Sequence, residues 1–548
     1  MKHKFLSLGM LTVLLAASLP MMAQNRVSGY TINTSTEANT AVTTFGKVAG
    51  FRENGVYVFK GIPYAQAARF AEPEDPTPWS GVRSSRAYGP TCPQEFRTGW
   101  YMDVLGFSSH WDDGFAGEDC LRVNVWTKGL NDGKKRPVMV WIHGGGFSTG
   151  SGQEQPAYDG ASLCNKGDVV VISLNHRLNA LGFLNLSSFG EKYKHSANLG
   201  MMDIVKALQW VKANAANFGG DPDNVTIFGQ SGGGRKVSTL CCMPSAKGLF
   251  QKAIVESGSG AHFMENKWSA RIGELTAAIL GLDASTIDKI KTVPYADLLA
   301  AATKAVALVR KDAGAAAAEA SIWGFMPTKD GDLLPEHAFT NGSEKLTADV
   351  PMIIGSVMNE FAGFAVVTDP SLLHKSESEA VATLQTKYGD MTADYVKAYK
   401  KAYSDKPAYL MPLVDFKYRP QAVSQVRIKA ADQGAPVWNY VFTYQSTALD
   451  GILTASHCAE LPYVFNNVTR CAASTDATPA AIRLGDVMSS AWINFARTGN
   501  PNGRGVPHWD AYTIEAPATM IFDTDSRCRK GDFDADLLKI GKESLLSR

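Results

Sequence analysis

The sequence has no strong excess of charge of either sign. It contains 54 Lys and Arg residues against 53 Asp and Glu residues, a formal net charge of +1. Proteins that bind nucleic acids or anionic membrane surfaces usually carry a large positive excess. The composition therefore predicts no nucleic-acid partner and no binding to an anionic membrane.

Long apolar runs are also missing from most of the chain. No segment beyond the N-terminus reaches the roughly 18 apolar residues that mark a membrane-spanning helix. At the N-terminus, Lys2 and Lys4 precede a short apolar segment at 5–19, and Ala23 offers a cleavage point. This order is typical of a signal peptide, and a membrane anchor is the weaker interpretation. We expect residues 1–23 to direct export to the periplasm or outside the cell, without stable membrane insertion.

Cysteine is sparse, and its spacing excludes the commonest structural roles. The eight cysteines are too few for a disulfide scaffold, and none forms the CxxC spacing of a zinc site. The sequence thus predicts no metal and no cofactor. Cys92 and Cys120 flank a loop that contains Trp100 and Trp111, which one disulfide would close; buried free thiols are the alternative.

The most informative pattern in the sequence is a series of short apolar runs. Between residues 120 and 260 they alternate with helical patterns, which is typical of a mostly parallel sheet. These runs lie at 137–142, 168–173, 224–228 and 252–255. Further runs of the same kind lie at 351–357, 436–444 and 519–522. The pattern predicts an α/β fold with a large central sheet flanked by helices.

Two segments interrupt this alternation. Residues 264–320 and 371–431 are rich in Ala and follow helical periodicity, so they are predicted as helical insertions. No linker and no internal repeat separates them from the sheet. Residues 24–548 are therefore predicted to form a single catalytic domain.

The pattern G-x-S-x-G, which presents a nucleophilic serine on a turn between a strand and a helix, occurs twice. Ser231 follows the predicted strand 224–228 and precedes a helical pattern at 235–243. Ser148 is followed by a Gly-, Gln- and Pro-containing stretch that cannot begin a regular helix. We therefore predict Ser231 as the nucleophile and Ser148 as a loop residue.

A run of three glycines follows another predicted strand. Gly144, Gly145 and Gly146 come directly after His143 and leave their backbone amides unshielded, as an oxyanion hole requires. A flexible turn is the alternative. A phosphate-binding loop is disfavoured, because no Lys-Ser/Thr pair and no helix follows.

A serine nucleophile needs a histidine base and a carboxylate that orients it. His457 follows the predicted strand 436–444 through a short polar stretch, and Glu360 follows the end of strand 351–357. On position alone, this pair is only modestly preferred over His337 with Asp330 or Asp332.

Together these motifs resemble the type B carboxylesterases, the cholinesterase-like group of the α/β-hydrolase superfamily. The resemblance extends through nearly the whole of 24–548. The matching segments include 59–65, 69–70, 118–124, 143–147, 217–222, 229–233, 257–259, 355–360, 457–465 and 492–501. It implies the α/β-hydrolase fold and a catalytic triad of Ser231, Glu360 and His457.

The resemblance also implies roles for other residues. The amides of Gly145, Gly146 and Gly232 would form the oxyanion hole, and Ser257 would support Glu360. Two further pairs are implied: a disulfide between Cys92 and Cys120, and a buried ion pair between Arg69 and Glu118. Two positions depart from the family pattern, because Gln230 replaces the glutamate that commonly precedes the serine and Gly232 replaces the alanine that commonly follows it.

The function implied is that of a secreted serine carboxylesterase acting on small-molecule esters through an acyl-enzyme. A binding protein that has lost catalysis is the alternative from another class, and the presence of the complete triad argues against it. Lipase and feruloyl-esterase specificities remain open. Trp100, Trp111, Trp323 and Phe325 would line a substrate pocket, or simply pack in the core. No pattern indicates an oligomeric state.

Overall fold

The computed structural model describes residues 29–260, 262–317 and 321–546, so the predicted signal peptide at 1–23 lies outside the described residues. Within these ranges seventeen strands form three sheets. The strands are β1 (Ile32–Asn33), β2 (Thr40–Thr43), β3 (Gly46–Ala49), β4 (Phe51–Glu53), β5 (Val56–Pro63), β6 (Val82–Ser84), β7 (Arg122–Thr127), β8 (Arg136–Ile142), β9 (Val170–Leu174), β10 (Gly220–Gln230), β11 (Lys252–Glu256), β12 (Met264–Glu265), β13 (Thr328–Lys329), β14 (Met352–Val357), β15 (Val437–Phe442), β16 (Ala518–Phe522) and β17 (Arg527–Lys530).

One sheet of twelve strands organises the described chain. Its order is β1-β4-β5-β7-β9-β8-β10-β11-β14-β15-β16-β17. The strands from β9 to β16 in this order are parallel, and those at both edges are antiparallel. Every residue of β8, β9, β11, β14, β15 and β16 is buried, which is why these strands are continuous apolar runs in the sequence. The predicted mostly parallel α/β sheet is confirmed.

Helices cover both faces of the sheet and fill the predicted insertions. The α-helices of the described ranges are α1 (Asp103–Ser108), α2 (Ala161–Gly167), α3 (Asn179–Phe183), α4 (Leu199–Asn214), α5 (Gly232–Cys241), α6 (Asn266–Ile279), α7 (Tyr295–Ala313), α8 (Phe364–Thr368), α9 (Glu377–Tyr388), α10 (Thr392–Ala402), α11 (Tyr418–Ala431), α12 (Leu461–Val464), α13 (Ala472–Thr475), α14 (Pro479–Thr498) and α15 (Ala535–Leu546). Helices α6 and α7 fall in segment 264–320, and α9 to α11 fall in segment 371–431. None of the helices in the described part of the chain is long and apolar enough to cross a membrane.

The parallel strands end at one edge of the sheet and bring distant loops together there. In the register of the sheet, Ile142 at the end of β8 lies beside Gly229 near the end of β10. Val357 at the end of β14 lies opposite Phe442 at the end of β15. Because the carboxyl ends of parallel strands share an edge, the loops that follow these strands meet in one place.

Candidate active site

Ser231 occupies a sharp turn between β10 and α5. Its backbone has φ 58° and ψ −122°, in the left-handed region that non-glycine residues rarely adopt. The backbone N–H of Ser231 donates a 2.8 Å hydrogen bond to the carbonyl oxygen of Glu256, which holds the turn against β11. A side chain at Gly233 would place its Cβ 2.0 Å from the carbonyl oxygen of Ile142, so this turn requires glycine. The strand, turn and helix predicted around Ser231 are all present.

The glycine loop after β8 lies against this turn. Gly145 and Gly146 have φ values of 79° and 65°. A Cβ on Gly232 would lie 2.2 Å from the carbonyl oxygen of Gly146, so the two segments approach as closely as only glycine allows. Within the described chain, the amides of Gly145, Gly146 and Gly232 donate to no protein acceptor. They line one cavity of about 310 Å³ together with Ser231.

His457 and Glu360 form a buried pair at the same edge of the sheet. Nδ1 of His457 is hydrogen-bonded to Oε2 of Glu360, and each side chain is only about 1% exposed. The backbone reinforces the pair, because the N–H of His457 donates a 3.2 Å bond to the carbonyl oxygen of Glu360. The other oxygen of Glu360 accepts a 3.1 Å bond from the N–H of Val357, at the end of β14.

Burial sets the charge of this pair. It lowers the pKa of His457 to about 3 and raises the pKa of Glu360 well above its usual value, with nearby Asp415 raising it further. Both shifts favour the uncharged forms. The imidazole is therefore neutral at neutral pH, and Nε2 is the proton acceptor in the form of the pair in which Glu360 is ionised and accepts the proton of Nδ1.

Ser257, predicted to support Glu360, lies beside it. Its hydroxyl opposes the effect of burial by lowering the pKa of the Glu360 carboxyl. Among the described atoms, the hydroxyl oxygen has no hydrogen bond of normal geometry. The structure therefore brings Ser257 next to Glu360 without a firm hydrogen bond between them.

The side chain of Gln230 contacts the catalytic histidine, an orientation that the sequence alone did not predict. Its side-chain Nε2 lies 3.3 Å from Nε2 of His457, and its Oε1 accepts a 3.2 Å hydrogen bond from Sγ of Cys458. Ser231 lines the same cavity as His457, but in the described structure its hydroxyl makes no hydrogen bond to the imidazole. Such bonds are often long without substrate and tighten when it binds. The sequence shows that residue 230 is a glutamine, but the orientation of its side chain depends on tertiary packing.

Aromatic side chains enclose the cavity. The ring of Phe361 stacks on His457 with a centroid distance of 4.3 Å and an interplanar angle of 28°. Of the four predicted pocket aromatics, Trp100 and Trp111 line this cavity. Trp323 lines a second cavity, and Phe325 packs half-buried against the core. The roles of Phe361 and Tyr418 as lining residues were missed, because neither lies in a recognisable motif.

The alternative residues do not assemble around Ser231. His337 accepts a 3.1 Å hydrogen bond from the N–H of Phe263 and faces Glu265. Asp330 binds the side chain of Asn198, and Asp332 pairs with Lys194 and His195. Ser148, the serine of the other G-x-S-x-G pattern, lies in a turn outside the cavity lining. The predicted loop position of Ser148 is confirmed.

Two pairs implied by the resemblance differ from expectation. Cys92 and Cys120 are buried free thiols, so the structure does not form the disulfide and the pairing stays a prediction. Arg69 and Glu118 form the ion pair at 2.5 Å, but Glu118 is 41% exposed. The expectation of a buried pair was wrong, since the carboxylate lies on a loop that solvent reaches. In the described ranges, no group of three or more His, Cys, Asp or Glu side chains is arranged to hold a metal ion.

Comparisons with known proteins agree with this geometry. Residues 36–537 match the Carboxylesterase family. Para-nitrobenzyl esterase of Bacillus subtilis is 39% identical over 491 residues, covering 88% of this chain and 94% of that protein. Phenmedipham hydrolase of Pseudarthrobacter oxydans is 34% identical over 499 residues, with 88% and 94% covered. The solved structure of an esterase from Clostridium hathewayi, described as hydrolysing aliphatic aromatic polyesters, aligns with a TM-score of 0.83 at 35% identity, covering 94% of this chain and 99% of that one.

Proposed function

This chain belongs to the carboxylesterase family of α/β-hydrolases and is a carboxylic ester hydrolase, and from that premise we propose that Ser231, His457 and Glu360 cleave esters through an acyl-enzyme. The observation that carries the proposal is the buried hydrogen bond between Glu360 and His457, whose imidazole lines the same cavity as Ser231. It provides a neutral, oriented base beside a serine on a strained turn.

The first half of the reaction acylates the serine. The hydroxyl oxygen of Ser231 attacks the ester carbonyl carbon while Nε2 of His457 takes the proton. The amides of Gly145, Gly146 and Gly232 donate to the oxyanion that forms, and removing one such donor typically costs about 10²–10³ in turnover. The C–O bond of the ester then breaks, and the imidazolium returns its proton to the leaving alcohol.

The second half restores the enzyme. Water attacks the carbonyl carbon of the acyl-enzyme while His457 removes a proton from it, and the acid leaves as Ser231 regains its hydrogen. Glu360 remains hydrogen-bonded to Nδ1 throughout and stabilises each imidazolium. For this sequence of steps, Nε2 must bind the Ser231 hydroxyl, so the amide of Gln230 has to move from its position over the ring.

The substrates we propose are small esters with an aromatic group. A cavity of about 310 Å³ lies at the small end of known ligand sites, and its aromatic walls favour planar apolar groups. The similar proteins named above include a para-nitrobenzyl esterase and an esterase described as acting on aliphatic aromatic polyesters, which supports the same class.

The decisive experiment compares two serines that share the G-x-S-x-G pattern. Ser231→Ala should lower kcat on p-nitrophenyl acetate and butyrate by more than about 10³-fold, because the nucleophile is lost. Ser148→Ala is the matched control and should retain activity. A fluorophosphonate should label the wild type and Ser148→Ala but not Ser231→Ala.

Two outcomes would contradict the proposal. An active Ser231→Ala variant would place the nucleophile elsewhere. A folded wild type that neither hydrolyses esters nor reacts with fluorophosphonate would favour the binding-protein alternative. A chain-length series from acetate to palmitate, with methyl ferulate included, separates small-ester, lipase and aromatic-acid specificities.

We also propose that residues 1–23 direct export and that the mature protein begins at Gln24. The sequence order of Lys2 and Lys4, an apolar segment and Ala23 supports this proposal. Expressing the full chain in a bacterial host and measuring the intact mass of the periplasmic and secreted protein tests it. A product that keeps residue 1 inside the cytoplasm would contradict it.

A further inference from the structure

A half-buried arginine without an acidic partner lies close to the nucleophile. Arg235 is in the first turn of α5, and its backbone N–H donates a 3.0 Å hydrogen bond to the carbonyl oxygen of Ser231. Among the described residues, no carboxylate forms an ion pair with its guanidinium. Arg235 and Ser231 both line the catalytic cavity. Within the described part of the chain, Arg235 is therefore a cation without an acidic partner in the cavity that Ser231 lines.

Arg235 stands at the junction of two cavities. Together with Tyr418 it lines both the catalytic cavity and a second, larger cavity of about 560 Å³. The second cavity lies between the start of α5, helix α11 and the loop that carries Trp323. The two cavities therefore adjoin at the side chains of Arg235 and Tyr418.

The described lining of the second cavity carries positive charge and no acid. Lys417 joins Arg235 there, and apart from the imidazole of His262 the remaining described lining is apolar, aromatic, amide or hydroxyl. Lys417 is exposed, and the only contact of its ammonium in the described chain is with the Tyr418 ring at 5.6 Å. The amide oxygen of Gln421, also in the lining, has no hydrogen-bond partner among the described atoms.

The acids of the catalytic cavity do not neutralise these cations by contact. Asp113 accepts hydrogen bonds from Trp111 and from Thr98. Burial raises the pKa of Glu154 to about 8, so this group is largely uncharged at neutral pH. The positive charges of Arg235 and Lys417 also act on the catalytic base, because both lower the pKa of His457.

We propose that the second cavity binds a carboxylate carried by the acyl group, so that the enzyme prefers monoesters of dicarboxylic acids over uncharged esters of the same shape. Arginine presents a planar fork that matches a carboxylate with two hydrogen bonds. The acyl group becomes bonded to Ser231 in the first half of the reaction and leaves it at the end of the second, so a contact with Arg235 acts in both halves. This inference rests on the proposed role of Ser231.

The test uses two substrates that differ by one charge: mono-p-nitrophenyl glutarate and its monoamide analogue. The wild type should favour the carboxylate in kcat/KM by at least about tenfold, mainly through a lower KM. Arg235→Gln should lower this preference by about 10- to 100-fold, and Arg235→Lys should lower it less. The ratio is the readout, because Arg235 also acts on His457 and its loss alters the hydrolysis of every ester.

Two further variants calibrate the result. Lys417→Gln should lower the preference only about two- to fivefold, since an exposed charge is screened by solvent. Arg427→Gln is the matched control, because Arg427 lies on the same helix as Tyr418, is exposed and pairs with Asp532. It should leave the preference at the wild-type value. A wild type without a preference, or an Arg235→Gln variant that keeps it, overturns the proposal.

Calorimetric binding of glutarate separates this inference from the proposed function. Glutarate should bind to wild type and to Ser231→Ala, and more weakly by at least about tenfold to Arg235→Gln. If neither ester is hydrolysed but binding depends on Arg235, the proposed reaction fails and the anion site stands. If esters are hydrolysed but glutarate binding does not depend on Arg235, the anion site fails and the reaction stands.

Discussion

The ammonium group of Lys236 donates a 3.0 Å hydrogen bond to the carbonyl oxygen of His143, the residue before the glycine loop 144–146. Lys236 is fully buried and also lies 5.7 Å from the centre of the Phe147 ring. Burial lowers its pKa to about 7, although Glu154 acts in the opposite direction. The side chain therefore holds the start of the glycine loop, and burying its positive charge there costs folding free energy.

Replacing this lysine should change how stability depends on pH. With a pKa of 10.5 when unfolded and about 7 when folded, the unfolded chain binds more protons between these values. Wild-type stability should then rise relative to Lys236→Met as pH rises from 7 to 10, by roughly 1.4 kcal/mol per pH unit. Urea unfolding at several pH values measures this, with the exposed Lys304→Met as control. A constant difference between wild type and Lys236→Met would contradict it.

The same variant should also weaken catalysis. Without the lysine, the carbonyl oxygen of His143 loses its donor, and the glycine loop that follows is less firmly held. Oxyanion donors act mainly in the transition state, so kcat should fall by about tenfold while KM changes little. Steady-state kinetics on p-nitrophenyl butyrate measures both. A change confined to KM would indicate that Lys236 affects substrate binding instead.

A negative charge at position 230 should move the pH profile. Burial holds the pKa of His457 below its usual 6.5, so wild-type kcat/KM should persist below that pH and fall only when the base becomes protonated. Gln230→Glu places a carboxylate near the ring and should move the acidic limb up by about one pH unit or more. Gln230→Leu removes the amide without adding charge and serves as control. Coincident limbs for Gln230→Glu and Gln230→Leu would exclude this charge effect.

The central strands of the sheet were predictable because strands buried on both faces need continuous apolar sequence. Strands such as β8 and β15 are covered on both faces, so they are uninterrupted apolar runs bounded by polar residues. The edge strands were not predicted. Strands β1 and β17 are short and lie partly in solvent, where no hydrophobic pattern is required. Strand β10 also begins at Gly220, earlier than its apolar run, because Gly220 still pairs with Arg136 across a bulge.

Some residues of the candidate site could likewise be predicted from the sequence, and others could not. Ser231, Glu360 and His457 could be predicted as a triad because each follows a strand end within a motif of the family pattern. Lys236 was not found, since a lysine beside an arginine ordinarily lies in solvent. Arg235 could have been noticed from its position four residues after the serine, whereas its lack of an acidic partner depends on how α11 packs.

The pair of cysteines gives a prediction that joins fold and export. Cys92 and Cys120 are in contact as thiols, so an oxidising compartment should convert them to a disulfide. A bridge of this span should stabilise the protein by about 3.5 kcal/mol. Intact mass under non-reducing conditions should fall by about 2 Da per bridge, and reductant should lower the unfolding midpoint. The double variant Cys92→Ser, Cys120→Ser should be insensitive to reductant, and a reductant-insensitive wild type would exclude the bridge.

Glu460, a buried glutamate close to the catalytic histidine, should lower the stability of the folded protein as pH rises. Both carboxyl oxygens of Glu460 are buried, and within the described structure neither has a hydrogen-bond partner. Burial, followed by the charge of Glu360, raises the pKa of Glu460 from 4.5 to about 8. Between these values the folded chain keeps a proton that the unfolded chain has lost, so stability falls with pH.

Glu460→Gln should remove this dependence, because glutamine keeps the shape of the protonated acid and does not titrate. Relative to the variant, the wild type should lose roughly 1.4 kcal/mol per pH unit between pH 5 and 8, the opposite sign to that expected for Lys236. The exposed Glu515→Gln is the control and should follow the wild type. Equal slopes for wild type and Glu460→Gln would mean that the carboxyl is already ionised in the folded protein, with water or a moved side chain supplying the missing hydrogen bonds.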